Sequence, residues 1–136
     1  MKRYLALDYG GKRIGVAVSD PMGSMALPRD FIPNTKAFLS QLKEMLKEDD
    51  ILDVVMGLPV QMDGKDSITT TRVRKVAVQI EKQLKVTVHL QDERLSTQAV
   101  ERELIGFDVS RKKRKTLVDS GAAAFILQSF LDKLRT

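Results

Sequence analysis

Short apolar runs open the chain and predict an antiparallel meander. The segments Tyr4–Asp8 and Arg13–Ser19 have the composition of β-strands, and two glycines lie between them. They predict a hairpin in which the glycines adopt positive φ. A third strand is predicted over Ala26–Ile32, where two prolines restrict it to an edge because proline cannot donate a ladder hydrogen bond.

Helical and strand patterns alternate in the rest of the chain. Helical spacing predicts helices over Thr35–Glu48, along the stripe Val73–Leu84 and over Ser96–Ile105. The basic run Arg111–Lys115 then leads into a predicted terminal helix that extends to about Leu134. Strands are predicted over Ile51–Met56, ended by Gly57-Leu58-Pro59, and over Val86–Asp92, with a loop from Gln61 to Ser67. The order predicts an α/β fold with a mixed five-stranded sheet, an antiparallel meander followed by parallel strands, and helices on both faces.

Composition narrows the classes of function. The length of 136 residues is that of one domain, expected over residues 1–136. Cysteine is absent, which excludes disulfides and thiolate chemistry and favours a reducing, cytoplasmic location. Apolar runs are too short to span a membrane, so no membrane partner is expected. A net charge of +5 favours binding of polyanions such as nucleic acid. The lack of Trp argues against a single-strand binder that stacks bases on aromatic rings, so affinity for nucleic acid would come from its phosphates.

The terminal helix carries an acidic residue on its apolar face. Asp119 is followed at helical spacing by Ala122, Ala123, Ile126 and Phe130, so its side chain is expected to face the sheet. An ionised carboxylate in such a place must be capped, paired, protonated or bound to a cation, because burial of a lone charge is costly. A helix cap or a lysine partner is therefore the alternative to a metal site.

Further acids end the first and last strands. Asp8 ends the first strand, the pair Asp92-Glu93 ends the last, and such strand ends gather in the middle of a mixed sheet. Asp8, Asp119 and one member of the pair Asp92-Glu93 are expected to meet, because alternation puts the two members of the pair on opposite faces. Grouped carboxylates favour Mg²⁺ or Mn²⁺, which can activate water for hydrolysis of a phosphodiester. The alternative for the pair is a turn that forms a salt bridge to Arg94.

Cations cluster near these acids. The run Arg111, Lys112, Lys113, Arg114 and Lys115 comes shortly before Asp119, and Lys12 and Arg13 follow Asp8. With Arg94 they form a candidate surface for backbone phosphates, although such a run is also typical of a solvated charged stretch. The single histidine, His89, lies mid-strand and is expected to be packed or half-exposed rather than catalytic.

Four blocks of sequence resemble one family. The stretches "LALDYGGKRIGVAVSD", "VVMGLPVQMDG", "DERLST" and "KRKTLVDSGAAAFILQ" look like the signature blocks of the YqgF/RuvX family, in family order and over nearly the whole chain. The resemblance implies an RNase H-like fold of the Holliday-junction-resolvase type. It also implies a nuclease that matures the 5′ end of pre-16S ribosomal RNA, and Asp8, Asp92-Glu93 and Asp119 match its acids. Many resolvases of this fold place an acid where Gly57-Leu58-Pro59 stands, so Glu93 would have to replace it.

Other functions remain open at this point. The same chemistry acting on branched DNA would need two active sites and hence a homodimer, whereas the sequence leaves monomer and homodimer undecided. A non-catalytic RNA-binding assembly factor is a third possibility. The Asp-x-Gly hairpin also resembles the phosphate-binding turn of sugar kinases and actin-like ATPases, but those proteins need two such domains and this chain has room for one.

Overall fold

The protein is built around a mixed sheet of five strands. The computed structural model describes residues 2–59, 67–92 and 111–134, and for 111–119 it describes the backbone alone. The elements in chain order are β1 (Tyr4–Tyr9), β2 (Arg13–Ser19), β3 (Ala26–Pro33), α1 (Phe38–Glu48), β4 (Asp53–Leu58), α2 (Ile68–Leu84), β5 (Thr87–Asp92) and α3 (Arg111–Leu134). The predicted loop over 61–66 and the predicted helix Ser96–Ile105 lie outside these residues.

The strand order is β3-β2-β1-β4-β5. The pairs β1–β2 and β2–β3 are antiparallel, and the pairs β1–β4 and β4–β5 are parallel. The predicted meander followed by parallel strands is confirmed, and so is the edge position of β3. The carboxyl ends of β1, β4 and β5 therefore meet at one end of the sheet.

Each face of the sheet packs against helices. Side chains alternate along a strand, so Leu5 and Leu7 of β1 enter one core and Ala6 enters the other. The core on one face, with α1 and α2, includes Leu42, Leu46, Val54, Met56, Val73 and Ile80. The core under α3 includes Ala6, Ala17, Val55, Ala123, Ile126, Leu127 and Leu131. Several of these residues are alanines, so α3 can approach the sheet closely.

Several element boundaries differ from the prediction. Strand β4 begins at Asp53 rather than Ile51 and ends at Leu58 rather than Met56, so it passes through Gly57 and stops before Pro59. The parallel ladder with β5 runs on to Leu58, because a glycine still donates its N–H and Pro59 is the first residue that cannot. Helix α1 begins at Phe38 rather than Thr35. The basic run, predicted to lead into the terminal helix, lies inside α3, because Lys and Arg have high helix propensity.

The glycines of the first hairpin serve close approach rather than positive φ. Neither Gly10 nor Gly11 has positive φ, so that prediction is wrong, and Gly23 in the next hairpin has φ +70°. A Cβ on Gly10 would lie 2.5 Å from the carbonyl oxygen of Arg13, whereas a Cβ on Gly11 would meet nothing within 4 Å. Only the first glycine is therefore required by contact.

The β2–β3 hairpin is closed by one carboxylate. Oδ1 of Asp20 accepts hydrogen bonds from the N–H groups of Ser24 (2.8 Å) and Met25 (3.1 Å). These bonds favour the ionised form, so the N–H of Met25, followed by that of Ser24, lowers the pKa of Asp20 below its ordinary value.

In the part of the chain that the structure describes, no helix has both the length and the apolarity to cross a bilayer.

Candidate active site

Asp8 lies at the end of the sheet where the parallel strands finish. It is half-buried, and its antiparallel partner on β2 is Gly15. Ala6, two residues earlier, belongs to the core under α3, so alternation puts Asp8 on the same face. The acid predicted from the first strand thus lies on the face that α3 covers.

Helix α3 is tied to the sheet beside this acid. Ser120 is fully buried, and its Oγ accepts a hydrogen bond from the N–H of Val16 at 3.3 Å. Val16 follows Gly15, the partner of Asp8, and Gly15 has no side chain to keep a helix away. Asp119 immediately precedes Ser120, so its backbone lies next to the row that contains Asp8. The side chain of Asp119 lies outside the described residues.

The far end of the meander fixes the direction of α3. Gln128 accepts a hydrogen bond from the N–H of Ala26 (3.0 Å) and donates one to the carbonyl oxygen of Ser24 (3.1 Å). The helix therefore runs from the Asp8 end of the sheet at Ser120 to the opposite end at Gln128. Residues before Ser120, including the basic run, extend toward and beyond the end where Asp8 lies.

Asp92 lies on the opposite face from Asp8. His89 contacts Phe130 of α3, whereas Val88 packs against the core on the other face. Alternation therefore assigns Gln91 to the α3 face and Asp92, which is exposed, to the other. Glu93 and Arg94 lie outside the described residues. Among residues 2–59, 67–92 and 120–134, no three Asp, Glu or His side chains are grouped as metal ligands.

The turn that follows Asp8 is braced by Asn34. The side-chain Nδ2 of Asn34 donates a hydrogen bond to the carbonyl oxygen of Gly10 at 2.7 Å. The backbone N–H of Asn34 donates one to the carbonyl oxygen of Lys12 at 2.9 Å. Lys12 is exposed in this turn. The brace fixes the chain just beyond Asp8, and local sequence patterns give no signal for it because Asn34 is distant along the chain.

A β-bulge lies in the same row as Asp8. Ile14 pairs with Ile32 and Val16 pairs with Arg29, so Gly15 faces two residues of β3, Asp30 and Phe31. Bulges are frequent beside active sites, where they redirect side chains. A bulge disrupts the hydrogen-bond ladder between two strands. This disruption is consistent with the N–H of Val16 donating its hydrogen bond to Ser120 rather than to a neighbouring strand. Strand sequence gives no signal for a bulge of this kind.

Arg13 contacts the aromatic ring in this bulge. Its Cζ lies 5.3 Å from the centroid of the Phe31 ring, within the range of a cation–π contact. Arg13 is exposed and Phe31 is partly buried. The other predicted phosphate-binding cations, in the run 111–115, are described by their backbone alone.

His89 has a structural role, as predicted. Its Nε2 lies 3.0 Å from Oδ1 of the buried Asp53, and its ring packs against those of Tyr4 and Phe130. Asp53 is at the start of β4, at the end of the sheet opposite Asp8. The histidine therefore partners a buried carboxylate away from the candidate active site.

Sequence comparison connects the chain with a family of nucleases. A family model described as "RuvX: Holliday junction resolvase" matches residues 2–133. A protein of Maridesulfovibrio salexigens named "Putative pre-16S rRNA nuclease" is 40% identical over 131 residues, which are 95% of this chain and 97% of that protein. A protein of Myxococcus xanthus with the same name is 44% identical over 135 residues, 98% of this chain and 89% of that one.

Structural comparison gives the same fold. The structure titled "T. thermophilus RuvC in complex with Holliday junction substrate" superposes with a TM-score of 0.58 at 13% identity, and the match covers 98% of this chain and 96% of that chain. At this identity the likeness shows the fold alone. The expected RNase H-like architecture of the resolvase type is confirmed.

Proposed function

Because this chain belongs to the RuvX family, we propose that it is a nuclease that hydrolyses phosphodiester bonds in precursor 16S ribosomal RNA. The observation that carries the proposal is the bond from Val16 to Ser120, which seats α3 beside the Asp8 row. Two acids distant along the chain, Asp8 and Asp119, thereby belong to neighbouring parts of the fold.

A divalent cation would be held by acidic oxygens at this end of the sheet. The donor set of Asp8, Glu93 and Asp119 suits Mg²⁺ or Mn²⁺, which prefer oxygen ligands and keep positions open for a phosphate. When bound, such a cation lowers the pKa of a water and stabilises charge on the scissile phosphate. The exposed position of Asp92 on the opposite face supports Glu93 as the ligand from the DER block.

The chain's own residues would bind and orient the RNA. Lys12 in the braced turn and Arg13 beside the bulge flank Asp8, and the run 111–115 lies in the helix that begins at this end. With Arg94, these cations would neutralise backbone phosphates. Binding through phosphates positions a strand without reading its bases, so the specificity for a cut site would come from the shape of the RNA.

Junction resolution is the second candidate. It is favoured by the description of the matching family model and by the fold shared with RuvC. A resolvase cuts two symmetric strands and therefore needs a homodimer. A protein that is monomeric at assay concentrations and leaves four-way DNA junctions intact would remove this candidate.

The direct test is cleavage of a precursor ribosomal RNA fragment with Mg²⁺ or Mn²⁺. Wild-type protein should shorten the fragment at its 5′ side, and Asp8→Asn and Asp119→Asn should each lower the rate by at least a hundredfold. Asp92→Asn is the matched control, because it also removes one acid but on the opposite face, and it should retain most of the activity. Equal cleavage by all four proteins would refute the assignment, and RNA binding without any cleavage would favour an assembly factor.

A further inference from the structure

Arg13 and Phe31 form a pair at the candidate active site. The Cζ of Arg13 lies 5.3 Å from the centroid of the Phe31 ring, and stacking of a guanidinium on a ring is favourable within about 6 Å. The bulge opposite Gly15 supplies the ring, because it contributes an additional residue of β3 at this row. The stacking holds the guanidinium on the β3 side of β2.

The pair lies close to Asp8. Asp8 is opposite Gly15, and Arg13 precedes Gly15 by two residues, so both side chains are on the α3 face. Diagonal neighbours of this kind in an antiparallel pair are about 7–8 Å apart. An RNA strand that crosses the sheet from Asp8 toward β3 would therefore bring the phosphate next to the scissile one to Arg13.

The chemistry of arginine identifies what would bind there. A guanidinium has five N–H donors in one plane, and stacking occupies the face of that plane rather than its donors. Non-bridging phosphate oxygens match this planar set of donors in a bidentate arrangement. An arginine whose plane is fixed by a ring is thus already oriented for a phosphate.

We propose that Phe31 is a positioning residue that holds Arg13 in place to bind the RNA phosphate next to the scissile one. The inference rests on the proposed function and adds to it the contact beside the cut. It assigns a role to an aromatic side chain that lies outside the acidic centre and outside the basic run.

The test is a double-mutant cycle on RNA affinity. Binding of a labelled precursor ribosomal RNA fragment is measured by fluorescence anisotropy in EDTA, from 50 to 200 mM KCl. The proteins are wild type, Arg13→Ala, Phe31→Leu, Phe31→Tyr and the double variant of Arg13→Ala with Phe31→Leu. The control is Arg72→Ala, which removes one exposed cation from α2 on the other face of the sheet. Thermal melting shows that each protein is folded.

Loss of one phosphate contact reduces the salt slope by about 0.7–0.9, so the affinity advantage of wild type over Arg13→Ala should fall roughly threefold from 50 to 200 mM. Phe31→Leu should reproduce most of that loss, and the double variant should bind no more weakly than Arg13→Ala. Phe31→Tyr keeps the ring and should keep wild-type affinity. Arg72→Ala should keep the wild-type slope.

Independent losses that multiply in the double variant would overturn the proposal, because the ring would then act without Arg13. Weaker binding by Arg13→Ala with an unchanged salt slope would also overturn it, because Arg13 would then contact a base. If Phe31→Leu does not fold, Arg13→Lys decides, since it keeps the charge without the planar fork, and wild-type affinity in that variant would refute the proposal. Cleavage by wild type is read separately, so failure of the nuclease assignment is distinguished from failure of this contact.

Discussion

Replacement of Ser120 by alanine tests the bond that seats α3 at the candidate active site. Ser120 is fully buried, and its Oγ is the acceptor for the N–H of Val16 at 3.3 Å. In Ser120→Ala the hydrogen bond is lost and the N–H is left buried without this acceptor. That change costs about 1–3 kcal/mol in other proteins.

Helix propensity offsets part of this cost. Alanine is a better helix former than serine by roughly 0.5 kcal/mol, so the net loss in the free energy of unfolding should be about 0.5–2.5 kcal/mol. For a chain of this size, 1 kcal/mol lowers Tm by about 4 °C, so a central value of about 1.5 kcal/mol lowers it by roughly 6 °C. Ser40→Ala on the exposed side of α1 gains propensity without losing a buried bond, so it serves as the matched control.

Urea unfolding followed by circular dichroism measures both variants. The midpoint should fall for Ser120→Ala with an unchanged m-value, and it should stay constant or rise slightly for Ser40→Ala. The difference between the two variants isolates the hydrogen bond. If the variants differ by less than about 0.5 kcal/mol, the bond does not hold α3 to the sheet and does not place Asp119 beside Asp8.

Three further outcomes are expected. Gly10→Ala places a Cβ 2.5 Å from the carbonyl oxygen of Arg13, so it should lower the free energy of unfolding by about 1–3 kcal/mol in denaturant titrations. Gly11→Ala, which has open space around its Cβ, should leave that free energy unchanged. Equal stability of the two variants would refute the contact. Because the pKa of Asp20 is lowered in the folded protein, its carboxylate stabilises the fold above the ordinary pKa of 3.8, and this contribution is lost as pH falls through the folded value. Asp20→Asn should therefore lack that part of the loss of stability in acid. Identical pH profiles of unfolding for the variant and wild type would contradict this expectation. Leu127→Ala empties a fully buried position under α3 and should cost about 2–5 kcal/mol by calorimetry, and a loss below 1 kcal/mol would show that this core is loosely packed.

Much of the fold follows from local patterns. The two runs of the first hairpin, the stripe along α2 and the apolar face of α3 are determined by side chains a few residues apart, and the structure confirms each. Strand β4 ends at Leu58 rather than at the predicted Met56, because pairing with β5 outweighs the weak strand propensity of Gly57. The prediction of positive φ for the hairpin glycines was wrong. What requires Gly10 is instead the close approach of the Arg13 carbonyl, which depends on how the two strands meet.

Some features of the candidate site also follow from local sequence, and others depend on the tertiary structure. The sequence by itself indicated Asp8, near the end of a strand, and Asp119, which interrupts an apolar helical face, as candidates for the chemistry, because both patterns are local. Only the tertiary structure decided that Asp92 points away from Asp8, that Ser120 bonds to Val16, and that Phe31 stacks on Arg13. These facts depend on strand order, register and a bulge, which join residues up to 104 positions apart. The packing energy of the whole chain selects such pairings, and no short stretch of sequence contains that energy.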